Sequence, residues 1–286
     1  MTSSNKLVAS AILAAYNSES TIQACLESLL MQSVPIEVIV VDDGSTDTTI
    51  IRIIEVMGDR KYTLIKQNHG GPALARNLGA SHAQSDILLF VDADMVFDKD
   101  YVKDLIQPIQ SKKAIGTYTM EERVANWDNV WARCLNIEEG WEDKKRFPPN
   151  LPAQAGPPTY GTDFRAILKS EFDRVGGFDN IGYTDTWSLF NKLGVRPLAT
   201  RAICYHHNPG TLGAVFRQAR WSAKRPYKYG LLGSFYALTR TSMPISLVLG
   251  MIKSPNEPLF LIYKIIYDFG RFVGITEMLL TGKLSK

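Results

Sequence analysis

The first 110 residues alternate between short apolar runs and segments of helical periodicity, and this alternation constrains the fold more than any other feature. Strands are predicted at residues 7–15, 36–41, 62–66 and 87–91, and helices at residues 19–31, 46–57, 71–83 and 100–110. Short β-rich runs that alternate with helices indicate βαβ units with right-handed crossovers. The expected fold is therefore α/β, with a mostly parallel central sheet flanked by helices.

The second half of the chain follows a different pattern. A short helix and a mobile loop are predicted within residues 121–158, strands at 164–168 and 196–207, and a helix at 185–193. From Thr211 onward the spacing predicts helices with basic or apolar faces. We expect one domain over residues 1–210 and a helical C-terminal region over residues 211–286.

Charge is distributed unevenly, although the formal net charge is only +3. Residues 217–286 contain eleven Lys or Arg and three Asp or Glu, a net charge of +8, whereas the rest of the chain contains 21 basic and 26 acidic residues, a net charge of −5. A basic tail on an acidic body indicates an anionic partner. Because the basic residues accompany a broad apolar face, nucleic acid is not the expected partner.

The last predicted helix is amphipathic. Glu257, Lys264, Asp268 and Arg271 fall on one helical face, and most other positions from 259 to 280 are apolar or aromatic. Such a helix can lie in a membrane interface. The alternative is a helix packed on the protein's own core.

The cysteines and the termini bear on the compartment. Cys25, Cys134 and Cys204 are odd in number, widely spaced and set in apolar stretches, which predicts buried thiols of a reducing compartment without a zinc site or disulfide framework. The N-terminus has no signal-peptide pattern, and no run of 18 apolar residues occurs, so no helix clearly spans a bilayer.

Pairs of acidic residues stand at the ends of two predicted strands. Asp92 and Asp94 follow the fourth strand, and Asp42 and Asp43 follow the second. Ligands of open α/β sheets bind beyond the carboxyl ends of the strands. Two carboxylates there favour Mg²⁺ or Mn²⁺ carried by a nucleotide diphosphate, and acids at a βα turn can accept hydrogen bonds from a nucleoside. The alternative is that these residues only form turns or helix caps.

Two further segments lie at predicted strand ends. Tyr16 and Asn17 follow the first strand, and residues 70–79 include Arg76, whose guanidinium could pair with a pyrophosphate or a base.

These four segments, in this order, closely resemble the family 2 glycosyltransferases with the GT-A fold. That family shows Tyr-Asn, then Val-Asp-Asp-Gly-Ser-Thr-Asp, then Ala-Arg-Asn-x-Gly, then Asp-x-Asp. Here the corresponding residues are 16–17, 41–47, 75–79 and 92–94. Each motif is weak alone, whereas four in order at family-like spacing are specific.

The resemblance covers about residues 7–225 and implies a Rossmann-like GT-A fold that moves a sugar from a nucleotide diphosphate to an acceptor with inversion. It implies that Asp43 holds the nucleoside and that Asp92 and Asp94 bind the metal, with the nucleotide sugar on about residues 1–120 and the acceptor on about 121–210. The residues expected to bind the donor and its metal are Ala14, Tyr16, Asn17, Glu19, Asp42, Asp43, Gly71, Arg76, Asn77, Asp92, Ala93, Asp94, Arg217 and Arg220.

The resemblance also suggests roles further along the chain. The family usually has Glu-Asp after the segment that corresponds to residues 161–179, with the Asp as general base, and this chain has Thr184-Asp185. Asp185 is therefore the predicted base, although it could merely cap a helix. His206 and His207 close a predicted strand, and a histidine here can contact the metal or diphosphate in related enzymes.

One motif argues against a processive polymerase. Residues 218–221 read Gln-Ala-Arg-Trp, one residue shorter than the Gln-x-x-Arg-Trp motif that marks processive members of the family. Arg217 and Arg220 could still reach phosphate groups of the donor or acceptor.

The sequence therefore predicts a metal-dependent glycosyltransferase at the cytoplasmic face of a membrane, either peripheral or monotopic. The donor is GDP-mannose or a UDP-sugar, and the acceptor is lipid or lipid-linked. One alternative is a phosphotransferase with Asp92 as nucleophile, although such enzymes usually carry Asp-x-Asp on the first strand. The other is a non-catalytic membrane adaptor that binds nucleotide sugars.

Overall fold

The computed structural model describes residues 7–148, 163–182, 185–253 and 257–285. These residues form two compact units. The first unit holds residues 7–123, 163–180 and 185–206, and the second holds residues 124–148, 181–182, 207–253 and 257–285. This division differs from the predicted domains because residues 124–148 belong to the second unit. Residues 149–158, where the predicted mobile loop ends, lie outside the described residues.

The first unit is built on a mixed sheet whose described strands have the order β3-β2-β1-β4-β7-β6-β8-β5. The strands are β1 Ala9–Ala15, β2 Ile36–Asp42, β3 Thr63–Lys66, β4 Ile87–Asp92, β5 Met95–Phe97, β6 Gly116–Val124, β7 Ala166–Leu168 and β8 Leu198–His206. Strands β3, β2, β1 and β4 are parallel, whereas β7 is antiparallel to β4 and β6, and β5 is antiparallel to β8. The α/β prediction is confirmed, with an antiparallel half added to the parallel one.

Helices flank this sheet and make up most of the second unit. The first unit contains α1 Ile22–Leu30, α2 Thr49–Met57, α3 Pro72–His82, α4 Tyr101–Gln110, α6 Lys169–Arg174 and α7 Asp185–Leu193. The second contains α5 Val130–Glu139, α8 Leu212–Ala223, α9 Gly230–Arg240, α10 Met243–Lys253 and α11 Phe260–Thr281. Local chemistry explains where several helices begin. Pro72 occupies the first turn of α3, and the side chains of Asn129 and Thr211 cap the N-termini of α5 and α8.

The core of the first unit lies on both faces of the parallel strands. Strands β1, β2 and β4 read as nearly continuous apolar runs because helices cover both of their faces. Helix α3 approaches β1 so closely that a Cβ on Gly79 would lie 2.5 Å from Ile12 Cγ2. Cys25, Cys134 and Cys204 are all fully buried thiols, as predicted.

An internal ion-pair network organises the second unit. The Lys264 ammonium lies 2.7 Å from Glu138 Oε1 and 3.0 Å from Asp268 Oδ2, and Ser246 on α10 donates to Asp268 at 2.7 Å. Lys264 and Asp268 are buried. The charged face predicted for the last helix therefore turns inward here, while Ile262, Phe269 and Phe272 of α11 are exposed.

No single helix among the described residues is both long enough and apolar enough to cross a membrane. Helices α9 and α10 meet the length and composition criteria only as a pair, with a bend of 64° between them.

The hydrogen bond from Ser246 to Asp268 makes a testable contribution to stability. Ser246→Ala should lower the free energy of unfolding by about 2 kcal/mol, because a buried carboxylate loses a donor. Urea denaturation measures this change. Thr239→Ala is the matched control, since its exposed hydroxyl only donates to Tyr236 O within α9, and it should cost less than about 0.5 kcal/mol. Equal effects of the two substitutions would show that the buried hydrogen bond adds no more to the free energy of unfolding than an exposed one does.

Candidate active site

The carboxyl ends of the parallel strands gather several predicted site residues at one edge of the sheet. Ala15 at the end of β1 lies opposite Asp42 of β2, and Ala14 lies opposite Asp92 of β4. Neighbouring parallel strands end at the same edge, so the segments that follow β1, β2 and β4 are brought together. This edge is where ligands of open α/β sheets bind.

The loops after β1 and β2 are fixed to each other by side chains predicted to bind the donor. Asn17, in the left-handed region at φ 48°, accepts a hydrogen bond from Thr46 N at 2.8 Å. Glu19 accepts from Thr48 N at 3.1 Å and from its hydroxyl at 2.7 Å. Asp42 is buried and faces Ser45 N at 3.3 Å. In this structure these three side chains shape the edge, and their contact with a ligand stays a prediction.

Asp43 is buried and organises the loop between β3 and α3. Its Oδ1 accepts hydrogen bonds from Gln67 Nε2 at 2.6 Å and Gly70 N at 2.8 Å. Its Oδ2 accepts from Gly71 N at 2.9 Å and lies 2.9 Å from His69 Nδ1. Because each oxygen already has two partners, this carboxylate builds the loop in the structure. A direct contact between Asp43 and a nucleoside stays a prediction.

An aromatic platform stands beside Asp43. The rings of Tyr16 and His69 stack with centroids 4.0 Å apart and planes inclined by 20°. Tyr16 is 44% exposed. An exposed aromatic face can stack a nucleobase of any sequence, so this pair suits the base of a nucleotide.

Asp92 lies between two arginines. Its Oδ1 is 2.7 Å from Arg76 Nη2, and its Oδ2 is 2.8 Å from Arg165 Nη1. Although burial opposes ionisation, the two guanidinium groups hold the pKa of Asp92 well below its usual range. A carboxylate with both oxygens engaged in this way is a poor nucleophile, which argues against the phosphotransferase hypothesis.

The charge alternation continues from Arg165 to the surface. Arg165 Nη2 lies 3.4 Å from Glu122 Oε2, whose other oxygen lies 2.8 Å from His206 Nδ1. His206 Nε2 in turn lies 3.1 Å from Asp94 Oδ1. Asp94 is the exposed end of this chain, with 44% of its side chain accessible.

Asp163 lies beside the same cluster. Burial raises the pKa of its carboxyl, with Arg165 and a hydrogen bond from Thr186 acting in the opposite direction. Its Oδ1 is a buried oxygen without a hydrogen-bond partner among the described residues.

The donor atoms at the exposed end suit a hard divalent cation carried by a diphosphate. Asp94 offers a carboxylate oxygen, and Glu122 holds Nδ1 of His206 so that Nε2 faces Asp94. Mg²⁺ commonly uses one or two carboxylates together with substrate phosphates. Within the described ranges, no three His, Cys, Asp or Glu side chains form a complete protein cage for a metal.

Six predicted residues remain: Asn77, Ala93, Asp185, His207, Arg217 and Arg220. Asn77 bridges to the backbone N and O of Phe178 at 2.9 and 2.8 Å, and Ala93 is buried. His207 belongs to the second unit, as do Arg217 and Arg220 on α8, where Arg220 pairs with Glu277. Asp185 begins α7, and its side chain lies outside what the structure describes.

Four contributing residues were not predicted: Gln67, His69, Glu122 and Arg165. Arg165 lies within residues 161–179, the segment already matched to the family, and this was the available signal. Glu122 lies on β6, a strand that the pattern did not reveal.

Comparisons with known proteins identify the family of the chain. The family model described as Glycosyl transferase family 2 matches residues 10–176. The chain is 26% identical over 219 residues to poly-beta-1,6-N-acetyl-D-glucosamine synthase of Staphylococcus aureus, covering 74% of this chain and 53% of that protein. It is 35% identical over 115 residues to glycosyltransferase GlyG of Streptococcus pneumoniae, covering 38% of each. The chain thus spans about half or less of the curated relatives it matches.

The fold is similar to that of a solved structure. S. aureus TarS (1-349) in complex with UDP-GlcNAc superposes with a TM-score of 0.58 at 17% identity, covering 97% of this chain and 93% of that one.

Proposed function

Because this chain belongs to glycosyltransferase family 2, we propose that it moves a sugar from a nucleotide diphosphate to an acceptor with inversion at the sugar carbon. The observation that carries the proposal is the alternating charge chain from Arg76 through Asp92, Arg165, Glu122 and His206 to Asp94, at the carboxyl edge of the parallel strands.

The residues of this edge have different roles in binding the donor. Tyr16 and His69 present a face for the base, and Arg76 and Arg165 supply positive charge near the strand end. Asp94 and His206 would hold Mg²⁺ or Mn²⁺. When bound, such an ion stabilises the charge on the departing diphosphate. Asp92, ionised by its two arginines, keeps both guanidinium groups in place.

Inversion needs one base on the side opposite the leaving group to take the acceptor's proton as the new bond forms. We assign this role to Asp185 at the start of α7. The acceptor is lipid or lipid-linked, and the protein works at the cytoplasmic face of a membrane. The basic, apolar C-terminal helices support this assignment, since a soluble acceptor does not require them.

The relatives guide the choice of donor. One relative is named for a polymer of N-acetyl-D-glucosamine, and TarS was solved with UDP-GlcNAc, so UDP-GlcNAc is the first donor to test. The other donors to test are GDP-mannose and the remaining UDP-sugars. The shortened motif at residues 218–221 favours transfer of single sugars over processive synthesis.

A thermal-shift panel of UDP, GDP and their sugars, with and without Mn²⁺ or Mg²⁺, tests donor binding. A ligand that binds only the folded state raises Tm, by an amount that grows with its concentration relative to Kd. We expect one nucleoside diphosphate to raise Tm more with metal than without. No shift for any nucleotide would contradict the proposal. Binding without turnover, even of bound donor to water, would instead favour the adaptor.

The assignment of the base has its own test. Asp185→Asn should lower kcat by about 10²-fold, the lower end of what a general base contributes, and leave donor Kd nearly unchanged. Asp173→Asn is the control, because Asp173 is exposed and paired with Lys169. Equal loss of donor binding and transfer in Asp185→Asn would mean that Asp185 is structural.

A further inference from the structure

The outer face of α9 is apolar. Four large side chains there are each more than half exposed: Leu231, Leu232, Phe235 and Tyr236. Their spacing places them on one side of the helix. The opposite side carries Ser234 and Ala237, which are buried. A helix packed on a water-soluble core has the reverse arrangement, with its large apolar residues inside.

Helix α10 also has its large apolar residues on the outside, and the contacts of its inner side show which side is exposed. Ser246 donates to buried Asp268 at 2.7 Å, and a Cβ on Gly250 would lie 2.7 Å from Leu261 Cδ1 of α11. The exposed side chains of α10 include Met243, Leu247, Val248, Met251 and Ile252. The two consecutive helices thus turn small or polar residues inward and large apolar residues outward.

The segment that contains these helices carries charges of a single sign, and the cations at its two ends, Lys224 and Lys253, are paired with Glu277 and Glu138. The segment from Lys224 to Lys253 contains five Lys or Arg and no Asp or Glu. Lys228 precedes α9, and Arg240 stands at the junction between α9 and α10; both are exposed. An apolar face flanked by the exposed cations Lys228 and Arg240 is complementary to anionic lipid headgroups above an acyl layer.

The dimensions of the pair decide how it meets a bilayer. Each helix has 11 residues and is therefore about 16 Å long. Each helix alone spans only about half of the roughly 30 Å of the hydrocarbon layer, and the bend of 64° between them interrupts a straight crossing. This geometry fits insertion into one leaflet.

We propose that α9 and α10 form an interfacial anchor, whose apolar outer faces enter one leaflet of a membrane that contains anionic lipid. This inference names the part of the chain that meets the membrane and so deepens the proposed function. It rests on that function for the lipid-linked acceptor. Its tests measure binding without donor or acceptor, so failure of the anchor and failure of sugar transfer are distinguishable.

Site-specific labelling tests the location of the anchor. The three native cysteines are fully buried, so an environment-sensitive thiol dye would label Leu232→Cys alone. Phosphatidylcholine vesicles that contain phosphatidylglycerol should shift its emission to the blue, and nitroxides on the acyl chains should quench it. The control is Ile51→Cys on α2, which is also more than half exposed. An unchanged spectrum at position 232, or equal changes at both positions, would overturn the proposal.

Substitutions test whether this face provides the affinity. The double variant Phe235→Gln with Met251→Gln should bind the same vesicles at least about tenfold more weakly, because two large apolar side chains no longer leave water. The matched control, Ile51→Gln with Ile54→Gln, should bind as the unmodified protein does. Retained vesicle binding by the double variant would overturn the proposal. The proposal would also be overturned if the unmodified protein did not bind vesicles and formed a dimer that the double variant dissociates. That result would assign this face to contact with a second copy of the chain.

Discussion

Asp94→Asn should lower metal-dependent kcat by about 10²- to 10³-fold, because the site loses the anionic oxygen that, in the proposed function, would hold the cation against the departing diphosphate. Asp94 is the exposed end of the charge chain, so its removal leaves the pairs around Asp92 intact. The fold should therefore survive, with Tm nearly unchanged. Steady-state kinetics over a range of Mn²⁺ concentrations measure both the lost rate and the lost response to metal.

Asp98→Asn is the matched control for this prediction. It makes the same chemical change four residues away, at an exposed carboxylate just after β5 that accepts a hydrogen bond from Asp100 N. It should retain full activity. If Asp94→Asn keeps the normal rate and metal response, Asp94 does not bind the ion and the assignment of this end of the site is wrong.

Arg165→Met should destabilise the protein by about 3 kcal/mol or more, because it removes the cation between Asp92 and Glu122 and leaves two poorly solvated carboxylates near each other. Methionine keeps much of the side-chain volume, so lost packing contributes little. Urea denaturation measures the change. The control is Arg174→Met, which breaks an exposed pair with Glu171 and should cost less than about 1 kcal/mol.

The effect of Arg165→Met should depend on pH in one direction. Burial raises the pKa of Asp92, but Arg76 and Arg165 together lower it well below the ordinary value. This pairing therefore contributes stability at pH values above the ordinary carboxyl pKa of about 4, and the contribution falls as pH drops towards the lowered pKa. Without Arg165, Asp92 protonates more readily, so the variant should be closer to the unmodified protein at pH 4 than at pH 7. Equal destabilisation at both pH values would contradict the ion-pair explanation.

The sequence predicted the parallel half of the sheet better than the antiparallel half. Strands β1, β2 and β4 are apolar runs buried on both faces, and such runs are readily recognised. Strand β6 reads GTYTMEERV, and its charged residues obscured the pattern. Glu122 on that strand is satisfied by Arg165 and His206, partners distant in sequence that local periodicity does not reveal.

For the site, the sequence located the edge but not the partners. Asp92 and Asp94 were recognised from their position after a strand. In the structure their side chains point in different directions: Asp92 pairs with two arginines, and Asp94 faces solvent beside His206. Asp43 anchors the loop that carries His69, a role that spacing did not reveal, and its predicted contact with a nucleoside stays a prediction. Which carboxylate faces a ligand depends on donors brought in from other strands and loops, and spacing alone does not contain that information.

For the second unit, the amphipathic pattern was recognised but its orientation was not. Lys264 and Asp268 were read as one charged face of a helix that could lie in a membrane interface. They form a buried network with Glu138 on α5 instead, a partner more than a hundred residues earlier in the chain. Ser246 of α10 joins this network, which leaves the apolar side of that helix facing outward.

Binding of Mn²⁺, followed by electron paramagnetic resonance in the presence of UDP or GDP, tests the central claim most directly. The account predicts that the unmodified protein and Asp98→Asn take up a single Mn²⁺ when the correct nucleoside diphosphate is present, and that Asp94→Asn does not. Uptake of Mn²⁺ by Asp94→Asn equal to that of the unmodified protein, or no nucleotide-dependent uptake by any of the three, would contradict the claim that this edge of the sheet binds a metal–diphosphate donor.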